Sequence, residues 1–548
     1  MMTSTTALIT AGTLLDGCTA QQSPAPAAAT PANPLKKMMD DTVAPLDARA
    51  IGETLTLEPS PEFRLVRDDR RASPPTASSA PTANKKADKT DLAFATISDV
   101  ASLIKSKAVS PVEVVEATLR RMEAAKNLGA YVTPTPERAV DAARRAEKEI
   151  MQKGPIGLLH GIPVAHKDNY DTANIPTTAG SAVFNGRVPK EDATAVAKLA
   201  AAGSIMVGKL AMPALAFGSV GRNPWDTKRD PAGSSSGSGI AIAAGLCYGA
   251  TGTDTGGSIR LPASWNGCVG LKPTYGRVSR FGIITHAFTL DHAGPLTRTV
   301  ADAAIMLEAM SGYDPKDPSS AKEPVPNFRD AARARDLRGV RVAIAPAYSF
   351  ARAIPEVRDG GESAVKRLST LGATVSEVEL AHVDITIPAL MVILASEFAA
   401  VFAESWQRLG PEPFSEVTRS EIEFAQSLSA TKLVAAQQAR RLVQDAYAKV
   451  LSEADVLVTA TSAMTATIAG ETPYQLPGFP NWLENALFYT GPSNLTGLPA
   501  LSLPVGFDKA GLPLAIQLIG RPFEEAMLFR VAAALEADLG LTDRHPKL

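Results

Sequence analysis

At 548 residues the chain is long enough for one large domain or about two or three of average size. Its 45% apolar and 20% charged residues are typical of a globular protein, and a net charge of -2 without a long basic stripe gives no reason to expect a nucleic-acid partner. The three cysteines, Cys18, Cys247 and Cys268, form no CxxC pair, so neither a disulfide framework nor a cysteine-ligated zinc site is expected. We found no run of about 18 apolar residues, and therefore expect no transmembrane segment.

Residues 1–91 are predicted to be a leader. From residue 19 onward they are rich in Pro, Ala, Ser and Thr, a composition typical of a disordered linker or tail. The run Leu15-Asp16-Gly17-Cys18 resembles a lipoprotein signal with Cys18 as the lipidated residue, but the positive start of such a signal is missing. The alternatives are a plain disordered leader or a start codon placed too far upstream. A cytoplasmic location is favoured, with a periplasmic protein anchored through Cys18 as the alternative.

The folded body is predicted to span residues 92–543 and to begin with a helical arm. Ser110, Pro111 and Glu113 are typical of a helix start, with Ser110 and Glu113 forming a capping box. A second amphipathic helix is expected around 136–151.

Strands and helices then alternate, which predicts an α/β fold: a mixed central β-sheet with helices on both faces. The strand candidates are 162–165, 204–207, 248–252, 340–345, 455–459, 500–505 and 514–519. The mostly helical stretch 350–450 is predicted to be an insertion or cap on that sheet.

Two glycine-rich loops are the strongest functional signals. The first, residues 231–239, could be a phosphate cradle, but it lacks the GK[ST] ending. It also matches the G-x-S-x-G nucleophile elbow with Ser235 at its centre, although an elbow should follow a strand and the preceding residues have loop chemistry.

The second loop reads Thr253-Asp254-Thr255-Gly256-Gly257-Ser258-Ile259-Arg260 and follows a predicted strand. Its glycines would present unobstructed backbone N–H groups, as an oxyanion hole requires, with Ser258 at their edge as the attacking oxygen.

Together with the later Gly270-Leu271-Lys272-Pro273-Thr274, these ordered motifs resemble the amidase signature family, from near residue 96 to Gly520. The resemblance implies that Ser258 is the acyl-ester nucleophile and Lys167 the base. Ser234, 24 residues before Ser258, would be the bridging serine of a Ser–cisSer–Lys triad. The backbone amides of Thr255, Gly256, Gly257 and Ser258 would form the oxyanion hole. Ala232 and Ser236 stand where the family usually has glycine.

Residue chemistry is compatible with these roles. Lys167 directly follows an apolar strand, where burial can lower the pKa of an amine toward neutrality. His166 alternates with Lys167 along that strand and should point to the opposite face, so we interpret it as structural. Asp254 and Arg260 are expected to pair and hold the loop, and no metal or other cofactor is predicted.

The predicted function is an amidase that cleaves linear amides through a serine acyl-enzyme, with aryl amides, carbamates or esters among the candidate substrates. The alternative is a glutaminase similar to the A subunit of glutamyl-tRNA(Gln) amidotransferase, working in a complex. The leader and an apolar pocket favour the stand-alone enzyme, and a catalytically dead homologue is disfavoured by the intact triad. The partner is a small-molecule amide, with a homodimer left open. The candidate pocket residues are Met212, Phe217, Phe479, Trp482, Phe488 and Tyr489.

Overall fold

The computed structural model of the protein describes residues 34–44, 46, 92–479 and 481–548. The α-helices are α1 Pro34–Val43, α2 Ile97–Lys105, α3 Pro111–Ala124, α4 Pro136–Lys153, α5 Thr194–Ala201, α6 Ser236–Ala243, α7 Arg260–Asn266, α8 Val300–Met310, α9 Phe328–Ala331, α10 Pro355–Thr370, α11 Val383–Leu409, α12 Glu416–Ser427, α13 Ala430–Glu453, α14 Trp482–Leu487, α15 Gly491–Thr496 and α16 Glu525–Leu539. Short 3-10 turns occur at Leu92–Phe94, Lys126–Leu128, Ala182–Phe184 and Ala214–Ala216.

The described strands form one mixed sheet. They are β1 Tyr131–Pro134, β2 Pro163–Lys167, β3 Ile205–Leu210, β4 Gly249–Asp254, β5 Val269–Lys272, β6 His292–Thr297, β7 Arg341–Ile344, β8 Thr374–Glu377, β9 Val456–Ala460, β10 Ala500–Phe507 and β11 Pro513–Gly520. Their order across the sheet is β1-β3-β2-β4-β6-β5-β10-β11-β9-β7-β8. Strand β2 is parallel to both of its neighbours, whereas the middle of the sheet, from β4 to β9, is antiparallel.

The predicted fold class is confirmed, and each predicted strand overlaps an observed one. Four strands were not predicted, namely β1, β5, β6 and β8. Strand β6 reads HAGPLT, with a glycine and a proline in the middle, and β8 reads TVSE and is largely exposed at the sheet edge. Neither has the apolar run or the alternation that marks a strand in a sequence, so only pairing with a neighbour identifies them.

The helical arm forms as predicted. Ser110 caps α3: its side chain accepts a hydrogen bond from the Glu113 amide, and the Glu113 carboxylate accepts one from the Ser110 amide. Helices α3 and α4 pack on each other, and α4 also contacts β3. The arm is thereby attached to the edge of the sheet that contains β2.

Strand β2 separates two hydrophobic cores. Val164 belongs to the larger core, which includes α8, α10 and α16, whereas Ala165 belongs to a second core that includes α3, α4 and α6. Because side chains alternate along a strand, His166 lies on the face of Val164 and Lys167 on the face of Ala165. The two neighbouring residues therefore face different surroundings.

The predicted insertion at 350–450 begins too early. Helix α10 packs on β9, β10 and β11, and β8 pairs with β7 at the sheet edge, so both are part of the sheet layers. Helix α11 contacts both α12 and α13, and we call these three helices the helical cap. Helix α15, which lies beside the functional site, contacts α11 and α13 of this cap.

Helix α11 is strongly apolar, although the sequence contains no uninterrupted apolar run that predicts it. Among the described residues, α11 is long and apolar enough to cross a membrane, with a mean hydropathy of 2.1 in its most apolar window. Scattered polar residues interrupt its apolar run, which is why a search for uninterrupted apolar residues did not find it. The same window is 72% buried inside the protein, as in the core helix of a globular domain.

A helix also lies within the predicted leader. Met39 and Val43 of α1 are buried, and α1 contacts α11 and α12 of the cap. Asn481 Nδ2 donates a hydrogen bond of 2.6 Å to Thr42 Oγ1. At least this part of the leader is therefore packed against the folded body, while Cys18 lies outside the described residues.

Candidate active site

The site lies at the carboxyl ends of two parallel strands. Strands β2 and β4 pair in register at Val164 with Gly249 and Ala165 with Ala250. Both strands run in the same direction, so Lys167, the last residue of β2, and Asp254, the last residue of β4, lie at one edge of the sheet. The loop that carries Ser258 starts at this edge, where ligands commonly bind in α/β proteins.

Lys167 is fully buried and contacts two hydroxyl groups. Its Nζ donates to Ser234 Oγ at 2.8 Å and to Thr253 Oγ1 at 2.8 Å. Its backbone amide donates to Thr251 Oγ1 at 3.1 Å, and Asn169 Nδ2 donates to Thr253 Oγ1 at 3.0 Å. The amine is held in a fixed position, with a serine oxygen within proton-transfer distance.

Burial lowers the pKa of Lys167 to about 7, against the opposing charges of Asp254 and Asp291. Two other lysines at the sheet are also fully buried, but their contacts differ. Lys209 Nζ lies 3.1 Å from Asp168 Oδ1 and also donates to Thr177 Oγ1 at 2.7 Å, and Lys272 Nζ donates to the backbone carbonyl of Leu498 at 2.6 Å. The Asp168 carboxylate favours the charged form of Lys209, whereas the amine of Lys167 donates to two hydroxyl groups, which can exchange a proton with it. Lys167 is therefore suited to act as a base.

The first glycine loop brings Ser234 to this amine. The Gly233–Ser234 peptide bond is cis, as the resemblance implies. Ala232, which replaces a family glycine, has a φ of 59°, a conformation uncommon for a residue with a side chain. The Ser235 amide donates to the carbonyl of Ser258 at 3.1 Å, so the two serine loops are in direct backbone contact.

The second glycine loop leaves its amides open. Within the described part of the chain, no hydrogen bond is found from the backbone N–H groups of residues 255–258. Gly257 has a φ of 144°, and a Cβ there would collide with the Thr490 side chain. Thr490 Oγ1 donates to the Gly256 carbonyl at 2.6 Å, and Thr255 Oγ1 donates to Asp291 at 2.6 Å. The loop is held by its carbonyls and side chains, with four donors available to an oxyanion.

The predicted Asp254–Arg260 pair is confirmed. Arg260 Nε and Nη2 donate to the two Asp254 carboxylate oxygens at 2.9 and 2.8 Å, and both residues are fully buried. Burial works to raise the pKa of Asp254, but the charge and hydrogen bonds of Arg260 outweigh it and hold that pKa below its usual range. Arg260 also donates to Ser493, Asn494 and Gln517.

The structure gives no support to a histidine-based triad. His166 lines a cavity on the other side of β2, and burial lowers its pKa to about 3. Ser235, the centre of the elbow motif, is fully buried and its Oγ donates to the Thr253 carbonyl at 3.2 Å. His286 is engaged with the Leu215 carbonyl at 2.7 Å, and its Nε2 lies 3.4 Å from Glu421. Among the described residues, no group of three or more His, Cys, Asp or Glu could hold a metal ion.

The predicted pocket residues do not form one cluster. Met212 packs with Leu215, Phe398 and Phe402 of a cluster that reaches into the cap, and Phe217 is partly buried against the large core. The remaining four lie on or near α14. The Arg352 guanidinium lies over the rings of Phe479 and Phe488 at 4.7 and 4.1 Å, and the Tyr489 hydroxyl accepts from the Arg352 amide at 2.9 Å. Trp482 packs against the cluster that contains Leu261 and Trp265.

Sequence reasoning missed several residues at the site. Thr251 and Thr253 both contact Lys167, and their spacing of two along β4 places them on one face, a signal that was available in the sequence of that strand. Leu487 and Thr490 lie more than 200 positions from the loop they contact, and a Cβ at Gly256 would be 3.0 Å from Leu487 Cδ2. The sequence contained no local signal for that pair.

Comparisons with known proteins agree with the geometry. A family model described as Amidase matches residues 113–529. The chain is 37% identical over 489 residues to the A subunit of the glutamyl-tRNA(Gln) amidotransferase of Moorella thermoacetica, covering 84% of this chain and 99% of that one.

Two solved structures extend the comparison. One is a chain from a vestigial protein complex that reveals the evolutionary origins of an s-triazine catabolic enzyme. Its sequence is 29% identical to this chain and its TM-score is 0.77, and the match covers 83% of this chain and 100% of that one. A bacterial aryl acylamidase of the amidase signature family is 26% identical, with a TM-score of 0.74 and coverage of 83% and 99%.

The Arg260 contacts lead to a prediction about stability. Arg260→Met should lower the free energy of unfolding by about 3–5 kcal/mol, because Asp254 would stay buried without its counter-charge. The matched control is Arg333→Met, which removes an exposed ion pair with Asp330 and should cost less than about 1 kcal/mol. Urea denaturation of both variants measures the difference, and equal losses would contradict the role assigned to Arg260.

Proposed function

We propose, since the chain belongs to the amidase family over residues 113–529, that this hydrolase cleaves a linear amide to a carboxylate and an amine or ammonia. The observation that carries this proposal is the 2.8 Å contact of the buried Lys167 amine with Ser234 Oγ, beside a glycine loop with open amides. The proposed roles are nucleophile for Ser258, bridge for Ser234 and base for Lys167.

The first chemical step is proton removal from Ser258. A serine hydroxyl is a weak nucleophile until a base accepts its proton. Neutral Lys167 accepts a proton from Ser234 as Ser234 accepts the proton of Ser258, whose oxygen attacks the amide carbonyl. Ser258 is partly exposed, as a residue that meets a substrate must be.

The negative charge of the tetrahedral intermediate develops on the former carbonyl oxygen. The backbone amides of Thr255, Gly256, Gly257 and Ser258 are the proposed donors to it. Loss of one such donor in other enzymes costs about 10²–10³ in rate, so fixed donors that need no rearrangement supply a large part of catalysis.

The leaving nitrogen requires a proton, and Lys167 now carries one. With a pKa of about 7, its ammonium can return the proton through Ser234 to the departing amine, leaving an acyl-ester on Ser258. Water then gives a proton to the same relay as its oxygen attacks the acyl carbon. The bond to Ser258 breaks, Ser258 takes the proton back through Ser234, and the carboxylate is released. The substrate atoms and protons balance with no cofactor.

Apolar surroundings favour an apolar acyl or leaving group. Leu487, the last residue of α14, lies beside Gly256. Trp482 is the first residue of that helix, and Phe488 directly follows it. The likeness to an aryl acylamidase supports an aryl amide, and carbamates or esters are chemically accessible to the same relay.

The alternative is a glutaminase that acts within a complex. It is supported by 37% identity to the amidotransferase A subunit of Moorella thermoacetica, nearly all of whose length is matched. The two functions share the triad and differ in the substrate that the pocket admits, so a substrate comparison separates them.

Covalent labelling tests the nucleophile. Ser258→Ala should lose all labelling by a fluorophosphonate probe, because the attacking oxygen is gone. Ser235→Ala is the matched control in the neighbouring loop and should still be labelled, since Ser235 Oγ faces the Thr253 carbonyl. Labelling that persists in Ser258→Ala and disappears in Ser235→Ala would establish the elbow mechanism instead.

The low pKa of Lys167 predicts the pH dependence of that labelling. Burial lowers the pKa to about 7, so the neutral, proton-accepting amine predominates above this pH and the ammonium below it. The labelling rate constant should therefore rise about tenfold per pH unit up to roughly pH 7 and then level off. In Lys167→Ala the labelling rate constant should no longer rise in this way. A wild-type pH profile with its midpoint near the ordinary pKa of lysine would contradict the role of Lys167 as the base.

A substrate panel separates the two functions. The purified chain alone should hydrolyse an aryl amide such as p-nitroacetanilide faster than it releases ammonia from glutamine, because Leu487 beside Gly256 and the aromatic residues on and next to α14 offer an apolar surface. Both products are measured in one assay series, with Ser258→Ala as the blank. Glutamine as the preferred substrate would favour the glutaminase.

A further inference from the structure

The helical cap contacts the surroundings of the proposed active site through one short turn. This turn, residues 286–291, leads directly into β6, and we call it the cap turn. The residue that follows it, His292, pairs in the sheet with Asp254, the last residue of β4. The cap turn therefore lies beside the start of the glycine loop. Each of the three cap helices places a charged side chain on it.

Helices α11 and α13 meet at Thr289 of this turn. Glu397 of α11 accepts a hydrogen bond from the Thr289 amide at 2.8 Å and another from its hydroxyl at 2.7 Å. Arg440 of α13 donates to the same hydroxyl at 2.7 Å and to the Thr289 carbonyl at 3.1 Å. Hydrogen bonds that involve a charged group are the stronger ones. Thr289 is therefore firmly attached to the cap, and its hydroxyl bridges two helices.

Helix α12 contacts the other end of the turn. Glu421 Oε1 lies 3.4 Å from His286 Nε2, and both side chains are buried. Burial works to lower the pKa of His286, but the charge of Glu421 outweighs it and raises that pKa, so the charged pair is favoured. The His286 ring also packs on the ring of Phe398 in α11, with their centres 4.7 Å apart. The cap thus holds both ends of the turn.

Asp291 connects the cap turn to the glycine loop. Its Oδ2 accepts from the amides of His286 at 2.8 Å and Ala287 at 3.1 Å, which closes the turn. Its Oδ1 accepts from Thr255 Oγ1 at 2.6 Å. Thr255 carries the first of the proposed oxyanion-hole amides. A displacement of the turn would therefore reach that amide through a short hydrogen bond to a buried carboxylate.

The cap is one of two supports of the turn. The Tyr275 hydroxyl, which lies outside the cap, donates to the Phe288 carbonyl at 2.8 Å. Loss of a cap contact should therefore loosen the turn without releasing it, and the expected effects on rate are partial.

We propose, on the basis of the proposed amide hydrolysis, that Asp291 positions the oxyanion-hole amides and that the cap fixes Asp291 through the cap turn. A misplacement of about 1 Å at a reacting group can cost about 10² in rate. The cap would then influence the rate of the chemical step as well as the shape of the pocket.

Thr255→Val tests the link between the turn and the glycine loop. Valine has the shape of threonine without the hydroxyl, so Asp291 loses its donor while the backbone amide at position 255 remains. The maximal rate constant of fluorophosphonate labelling should fall about tenfold, and the half-saturating probe concentration should stay unchanged. Thr255→Ser keeps the hydroxyl and should restore a rate near that of the wild type. Equal rates in Thr255→Val and the wild type would overturn the role of Asp291.

Asp291→Asn adds a measurement that a purely structural residue would not change. Burial lowers the pKa of Lys167 to about 7, and the charge of Asp291 acts against it. Removal of this charge should move the midpoint of the labelling pH profile below the wild-type value. The matched control is Asp302→Asn, which removes a buried carboxylate that accepts from the Ile97 amide, and its midpoint should not move. An unmoved midpoint in Asp291→Asn would contradict its place beside the amine.

Thr289→Val tests the link between the cap and the turn without any catalysis. It removes the hydroxyl that Glu397 and Arg440 share, so the amides of residues 286–291 should exchange with deuterium about tenfold faster. Thr386→Val is the matched control, since its hydroxyl donates to the His382 carbonyl at 2.8 Å within α11. The control should leave the exchange of the turn unchanged. The labelling rate constant should fall in Thr289→Val and not in Thr386→Val.

Two results of this comparison would overturn the role of the cap. One is unchanged exchange in Thr289→Val, and the other is faster exchange with an unchanged labelling rate constant. A wild-type chain that takes no label would instead contradict the proposed function. The exchange comparison would then still decide whether the cap holds the turn.

Discussion

A single buried guanidinium connects the parts of the site. Arg260 donates to Asp254 at the end of β4, to Ser493 and Asn494 of α15 and to Gln517 in β11. The glycine loop lies between Asp254 and Arg260, so both of its ends are fixed by this one residue. A lysine could supply the charge but not the planar set of donors that reaches several acceptors at once.

The same pairing determines the charge balance around Lys167. Asp254 and Asp291 both act to raise the pKa of Lys167, and burial acts to lower it. Arg260 forms a salt bridge with Asp254, whereas Asp291 keeps its charge and accepts a hydrogen bond from Thr255. Burial has the largest effect of the three and lowers the pKa of the amine to about 7.

Strand β2 gives two adjacent residues unlike environments. Lys167 contacts hydroxyls of the serine loop and β4, while His166 lines the cavity beneath the helical arm. The alternation of side chains in a strand was sufficient to assign the two residues to opposite faces from the sequence. The nature of the second face, a polar cavity with two arginines, required the packing of α4 and α5.

Local patterns in the sequence were enough to predict the fold class, most of the strands, the capping box at Ser110 and the Asp254–Arg260 pair. Three short motifs also indicated Lys167, Ser234 and Ser258 as the proposed catalytic residues. The packing of the folded chain was needed to find which hydroxyls contact Lys167, where α1 packs and how the candidate pocket residues divide between separate clusters. Strands β6 and β8, Leu487 and Thr490 likewise had no local signal. Their positions depend on contacts between segments far apart in the chain, and such contacts leave no periodicity for a sequence to display.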